Sequence, residues 1–289
     1  MKNTDETRNV GQFIPLHYHF HMLNAEERMN AFRTAIELIV QPGDTVLELG
    51  GGTGVLSFFA AQKAARVFCV EYNLDLVDAA RELLKQNPNG DKVEVIHADG
   101  FEYMPPQPVH VVVCEMLHVG LLREKQLEMI DSFKTRYSKA FPQSPMPIFI
   151  PGATFQAIQP VQQDFNFSGY YAPVVQIQDA YGSWPKTEAL GNPVIYQQIM
   201  YDQPYSLECK WNGVLQIDTP GKFNALRVIT KSILAVMPET KALVDWHNHY
   251  MIHPLGSEIA VEQGQTFEVG IDYMSGAPLT AFKPEVRPC

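Results

Sequence analysis

The stretch VLELGGGTG, residues 46–54, ends an apolar run in four glycines out of five positions. A strand that opens straight into glycines predicts a turn where the backbone passes close to something, with the N–H groups of a following helix left free. The pattern around it repeats. Thr45–Leu49, Arg66–Glu71, Lys92–His97 and Val109–Cys114 read as strands. Glu26–Val40, Val55–Ala65, Leu74–Gln86 and Glu124–Ala140 read as helices. Strand and helix alternating at this spacing predict an α/β fold, a doubly wound Rossmann-like parallel sheet with helices on both faces.

Near residue 145 the pattern changes. Residues 153–160, 194–200, 213–217, 226–236, 257–261 and 266–273 read as strands separated by Gly, Pro, Asn and Asp, with few helical periods. The expected organisation is a helical segment over 1–40, an α/β domain over 41–148 and a β-rich, barrel-like domain over 149–289. Residues 164–192 are aromatic and weakly periodic, and read as a long loop or an extended arm.

A net charge of −10 argues against nucleic acid as a partner. The cysteines Cys69, Cys114, Cys209 and Cys289 form no CxxC and read as reduced thiols of a cytoplasmic protein. No apolar run reaches ~18 residues, so no membrane span is expected, and MKNTDETRNVGQF lacks the apolar core of a signal peptide.

The glycine spacing selects among cofactors. A dinucleotide fingerprint starting at Gly50 requires glycine at 55, which is Val55, and no Lys-Ser/Thr pair makes a phosphate loop. The pattern present is E-x-G-x-G-x-G: Glu48, Gly50, Gly52 and Gly54. Glu71 ends the second strand, where a carboxylate can accept from ribose hydroxyls, and Asp99 and Gly100 follow the third. This set resembles the class I S-adenosylmethionine-dependent methyltransferases over about residues 40–118. The resemblance implies S-adenosyl-L-methionine at the carboxyl ends of the strands. Gly50, Gly52 and Gly54 would lie under its methionine half, Glu71 at the ribose, and Asp99 and Gly100 near the adenine.

Glu115 directly follows the fourth strand, and Glu124 returns nine residues later. Such a pair suits a guanidinium, which is planar and presents five N–H donors. Glu124 also suits the first turn of the helix that follows it. CEMLHVGLLRE, residues 114–124, is similar to the double-glutamate loop of the protein arginine methyltransferases, with Cys114, Met116 and His118 departing from the family's Ser, Trp and Gly. That resemblance implies an N-methyltransferase on which Glu115 and Glu124 orient a protein arginine. The alternative is a small amine or guanidine, methylated on N or O. It further implies Arg33 on the cofactor's carboxylate, Glu115 at the cofactor's edge, an appended β-barrel and a homodimer formed through an arm at about 164–195. Asp245-Trp246-His247 stands where the family has Thr-His-Trp, so either His247 or His249 replaces the family histidine near the acceptor, or both are polar ends of barrel strands.

HYHFH, residues 17–21, puts His17, His19 and His21 on one face if extended, as in a metal site. No fourth ligand has matching spacing and methyl transfer needs no metal, so none is expected. By the same resemblance the segment is a helix whose Tyr18 and Phe20 cover the cofactor, while the histidines flank the pocket.

Overall fold

The computed structural model describes residues 14–237 and 242–289; residues 1–13 of the N-terminal segment lie outside the described part. Two helices come first, α1 (Leu16–Asn24) and α2 (Glu26–Ile39). A five-stranded parallel sheet follows: β1 (Thr45–Leu49), β2 (Arg66–Glu71), β3 (Val93–His97), β4 (Val111–Cys114) and β5 (Ile148–Ile150), in the order β3-β2-β1-β4-β5. Strand β1 is buried along its whole length, as a central strand covered on both faces is, and takes Glu48 into the interior with it. Helices α3 (Val55–Ala61), α4 (Leu74–Lys85) and α5 (Gln126–Ala140) make the crossovers.

The chain leaves β1 toward β2 and β3, then returns to lay β4 on the other side. The crevice of such a sheet lies at this reversal, at the carboxyl ends of the strands. Gly50, Glu71, Asp99 and Glu115 all follow or end those strands. The sheet takes in Ile148–Ile150, so it runs through 150 and past the expected boundary at 148.

The second half is antiparallel and barrel-like. Its long strands are β6 (Ala153–Gln163), β7 (Val194–Met200), β8 (Glu208–Gln216), β9 (Gly221–Met237), β10 (Ala242–His247), β11 (Tyr250–Val261) and β12 (Thr266–Met274). Strand β9 pairs with β6, β10 and β11, while β8 pairs with β12 in a separate sheet. Their inner faces share an apolar core that includes Ile158, Phe223, Leu226, Leu215 and Val269. Residues 164–192 are tied to the sheet on both flanks. Gln176–Gln178 pairs with β11 and Thr187–Ala189 pairs with β6. Between them and β6 lies a hairpin, Asn166–Phe167 against Tyr170–Tyr171, with Phe167, Tyr170 and Tyr171 exposed.

The two halves share one core. Ile199, Tyr201, Leu234 and Trp246 of the barrel join Phe32, Ala35 and Ile36 of α2 in the cluster beneath the parallel sheet, and Phe32 meets Trp246 edge-on at 5.8 Å between ring centroids. The barrel is thereby packed against the elements that carry the glycine loop and the acidic loop.

Candidate active site

Two adjoining cavities meet at Glu115, Glu124, Arg28 and Leu117, which line both. The first runs along the carboxyl ends of the parallel strands, lined by Gly50, Gly51, Gly52, Glu71, Asp99, Gly100 and His19. The second opens between α1, α2, the turn after β10 and the segment carrying Asp179 and Tyr181, with a volume of about 1210 Å³.

The glycine loop is braced rather than left with free donors. The Gly52 N–H donates to Glu71 Oε2 at 2.8 Å, and the Asn73 N–H donates to Glu71 Oε1 at 2.8 Å. The Ser57 N–H, near the start of α3, donates to Glu48 Oε2 at 2.8 Å, and the Ser57 hydroxyl donates to the same oxygen. Burial pushes the Glu48 carboxyl up to about 8 against the lowering pull of Ser57. Glu48 thus holds the loop from beneath while reaching the cavity wall. Gly52 needs to be glycine on two counts: its φ is +54°, and a Cβ there would stand 2.8 Å from His19 Cε1. Gly54 faces away from the cavity, against Leu84 of α4.

Helix α1 forms where HYHFH was expected to be helical, but it covers the loop with a histidine. His19 is buried over Gly52 and its Nε2 has no hydrogen-bond partner, whereas Tyr18 and Phe20 are 55% and 63% exposed. Burial, then Arg28, lowers the His19 pKa and keeps the ring neutral.

Arg33 does not reach either cavity. It lies on the exposed side of α2, bonded to Asn30 Oδ1 at 3.3 Å and 4.0 Å from Glu37 Oε1. Arg28 occupies the site in its place and is ion-paired to Glu115 Oε2. The two arginines are five residues apart, about 140° around a helix, so both cannot face one pocket. The signal was available in the sequence. Arg28, Phe32, Ala35 and Ile36 form the stripe at i, i+4, i+7 and i+8 that α2 buries, and a lone charge on that stripe needs a partner.

Glu115 is set by Gln126. The Gln126 side chain, fully buried, donates from Nε2 to the Cys114 carbonyl at 2.7 Å and accepts the Met116 N–H on Oε1 at 2.8 Å, bracketing Glu115. Nothing in the sequence pattern marked Gln126. Glu124 comes back beside Glu115, and its carboxyl is pushed up to about 7, chiefly by burial and then by the Glu115 charge, with Arg123 opposing.

Glu124 therefore makes folding pH-dependent. A carboxyl raised from 4.5 binds a proton in the folded state that the unfolded chain has released, so its stabilising contribution is complete below about pH 4.5 and is lost as pH rises toward 7. Glu124→Gln should remove that loss and leave the ligand-free protein more stable than wild type at pH 8, on the order of 2 kcal/mol. Denaturant melts at pH 5 and pH 8 measure it; an identical pH slope in the two proteins would show that Glu124 is not buried in this way.

His247 lies on the second cavity together with His118, Trp246, Asn248 and His249. Burial lowers the His247 pKa and its Nδ1 has no partner, and burial pushes His118 down to about 4, so both are neutral at pH 7. Asp245 points elsewhere: it pairs with Lys231 at 3.0 Å and is absent from the cavity wall. Among the described residues no group of three or more His, Cys, Asp or Glu is arranged to hold a metal.

The first cavity is narrow, about 120 Å³ with His19 over its glycine wall, but its lining groups suit S-adenosylmethionine. It offers a carboxylate at the end of β2, a glycine wall that a Cβ would fill, an unpartnered buried imidazole, and in Arg28 the one arginine or lysine among its described lining residues.

Comparison with known proteins agrees. Residues 46–136 match a methyltransferase domain model. An uncharacterised protein of Methanocaldococcus jannaschii is 26% identical over 269 residues, 92% of this chain and 95% of that one. The arginine N(omega)-methyltransferase of Streptomyces achromogenes is 34% identical over 141 residues, 47% of this chain and 38% of that enzyme. The Trypanosoma brucei PRMT1 enzyme–prozyme complex with AdoHcy superposes with a TM-score of 0.71 at 15% identity, covering 94% of this chain and 96% of that one, and shows the same α/β-plus-barrel fold. The chain is a distant class I S-adenosylmethionine-dependent methyltransferase that resembles the protein arginine methyltransferases.

Proposed function

We propose that the protein methylates a guanidinium nitrogen of arginine within a polypeptide. The observation that carries this reading is the convergence of Glu115 and Glu124 on the partition between the two cavities. Two carboxylates side by side are costly unless a cation joins them, and the Glu115 charge adds to burial in raising the Glu124 carboxyl. A guanidinium supplies the charge and enough donors for both. The second cavity, at about 1210 Å³, exceeds the ~300–1,000 Å³ of usual small-ligand sites and suits a polypeptide segment.

S-adenosylmethionine supplies an electrophilic methyl on a sulfonium. Arg28 would hold its methionine carboxylate, Gly50 and Gly52 the methionine half, Glu71 the ribose, and Asp99 with Gly100 the adenine. Glu115 and Glu124 would orient the acceptor nitrogen and stabilise the charge that gathers there. Glu124, poised near neutral pH, is the group suited to take the proton that this nitrogen sheds. His118 and His247, both neutral, would not repel the cationic acceptor.

The proposal extends to a cytoplasmic homodimer in which the exposed aromatics Phe167, Tyr170 and Tyr171 meet a second copy. Buried unpaired cysteines at 69, 114 and 209 accord with a reducing compartment.

The test is transfer from methyl-labelled S-adenosylmethionine into a cell extract, separated by size and then acid-hydrolysed. Methylarginine in the protein fraction is expected. Label confined to small molecules would replace this reading with a small amine or guanidine acceptor.

A further inference from the structure

The loop between Glu115 and Glu124 is strained. Gly120, Leu121 and Arg123 all have positive φ, at +72°, +51° and +63°. For Leu and Arg that backbone is strained, and it persists only where the surroundings over-determine it. Those surroundings belong to the barrel. The Gly120 N–H donates to Thr230 Oγ1 at 2.8 Å, and the Tyr273 hydroxyl donates to the Gly120 carbonyl at 2.7 Å. Asn248 Nδ2 donates to the Leu117 carbonyl at 2.9 Å. The Gly276 N–H donates to the Leu121 carbonyl, and the Arg123 N–H to the Ala277 carbonyl, each at 2.8 Å.

The clamping side chains are themselves fixed. Thr230 Oγ1 donates onward to Gln156 Oε1 at 2.7 Å, which leaves its lone pair aimed at Gly120. Tyr273 and Tyr196 hydroxyls lie 3.1 Å apart, and since Tyr273 donates to Gly120, Tyr196 donates to Tyr273. The Asn248 N–H donates to the Thr230 carbonyl at 3.0 Å, joining two clamp residues. Thr230, Tyr273 and Asn248 are all buried. A Cβ at position 120 would meet Leu122 Cδ1 at 3.1 Å, so the loop has little room to relax.

We infer that Thr230, Tyr273 and Asn248 are positioning residues: the barrel uses them to hold the strained loop so that Glu124 faces Glu115. The inference rests on the carboxylate-pair reading above and extends it from the two acids to the domain that aims them. A displacement of about 1 Å at such a site costs about 10²-fold in rate.

The test uses the full chain, an arginine-containing synthetic peptide and labelled S-adenosylmethionine. Tyr273→Phe and Thr230→Val remove single hydrogen bonds with little change in shape. Both should lower kcat by about 10²-fold with cofactor affinity by calorimetry within about twofold, and carbon-13 NMR should show the Glu124 carboxyl moving toward the ordinary carboxylate range. Thr230→Ser, which keeps the hydroxyl, should restore both readouts. Tyr196→Phe, which removes only the bond that fixes the Tyr273 hydroxyl, should move both readouts in the same direction and by less. Wild-type kcat and an unmoved Glu124 titration in folded Tyr273→Phe and Thr230→Val would overturn the inference. The two readings fail separately. Full transfer by Glu115→Gln and Glu124→Gln would sink the carboxylate pair, whereas their inactivity beside an active Tyr273→Phe would sink the clamp alone.

Discussion

Glu115→Gln is expected to lower kcat by about 10³-fold, about 4 kcal/mol of transition-state stabilisation, with no loss of S-adenosylmethionine affinity. Glutamine keeps the shape and one acceptor oxygen but removes the charge that a guanidinium needs. Cofactor affinity is spared because Glu115 competes with the cofactor rather than binding it. In the ligand-free protein its carboxylate holds Arg28, the cation facing the cofactor cavity. Once Glu115 is neutral, Arg28 is freer to take the methionine carboxylate, so calorimetry should give the same Kd or a tighter one. Wild-type turnover in this variant would remove Glu115 from the chemistry.

Arg28→Ala acts on the other side of the partition. It should weaken S-adenosylmethionine by about 10²-fold, about 2.7 kcal/mol, whereas Arg33→Ala should leave the affinity unchanged. Removing Arg28 also strands Glu115 next to Glu124 without a cation. The two half-buried carboxylates then repel in the ligand-free protein, and one of them has to hold a proton. A Kd that moves with Arg33 and not with Arg28 would mean that α2 sits differently in the bound protein.

The contrast between these arginines shows how far the sequence carries. The parallel sheet was legible because β1, β2 and β4 are short, mainly apolar runs, and β3 and α4 have clear periods. Strand β5 was not, since three residues between prolines carry no period and its pairing with β4 is set from elsewhere. Strands β8, β9 and β11 begin five to seven residues before their expected starts, because barrel pairing continues through polar and glycine-containing stretches that alternation alone would end.

The site was legible where a motif concentrates its residues in a short stretch. Glu71, Asp99 and Gly100 line the first cavity, and Glu115 and Glu124 stand where it meets the second. What escaped was non-local. Gln126 meets the end of β4, and Thr230, Asn248 and Tyr273 reach the acidic loop from 110 to 153 residues away in sequence. A hydrogen bond between distant segments leaves no period or spacing behind. Arg28 is the intermediate case: the buried stripe of α2 marks it, while the family resemblance points to Arg33.

Glu115 and Glu124 are proposed to form a clamp for a guanidinium. The clamp is tested most directly by binding an arginine-containing peptide, and the same peptide with citrulline in its place, to the protein saturated with S-adenosylhomocysteine. Citrulline keeps the shape and loses the charge. The clamp predicts that the arginine peptide binds at least about 10-fold tighter, a difference of about 1.4 kcal/mol, and that this preference disappears in Glu115→Gln. Equal binding of the two peptides, or binding of neither, would contradict it.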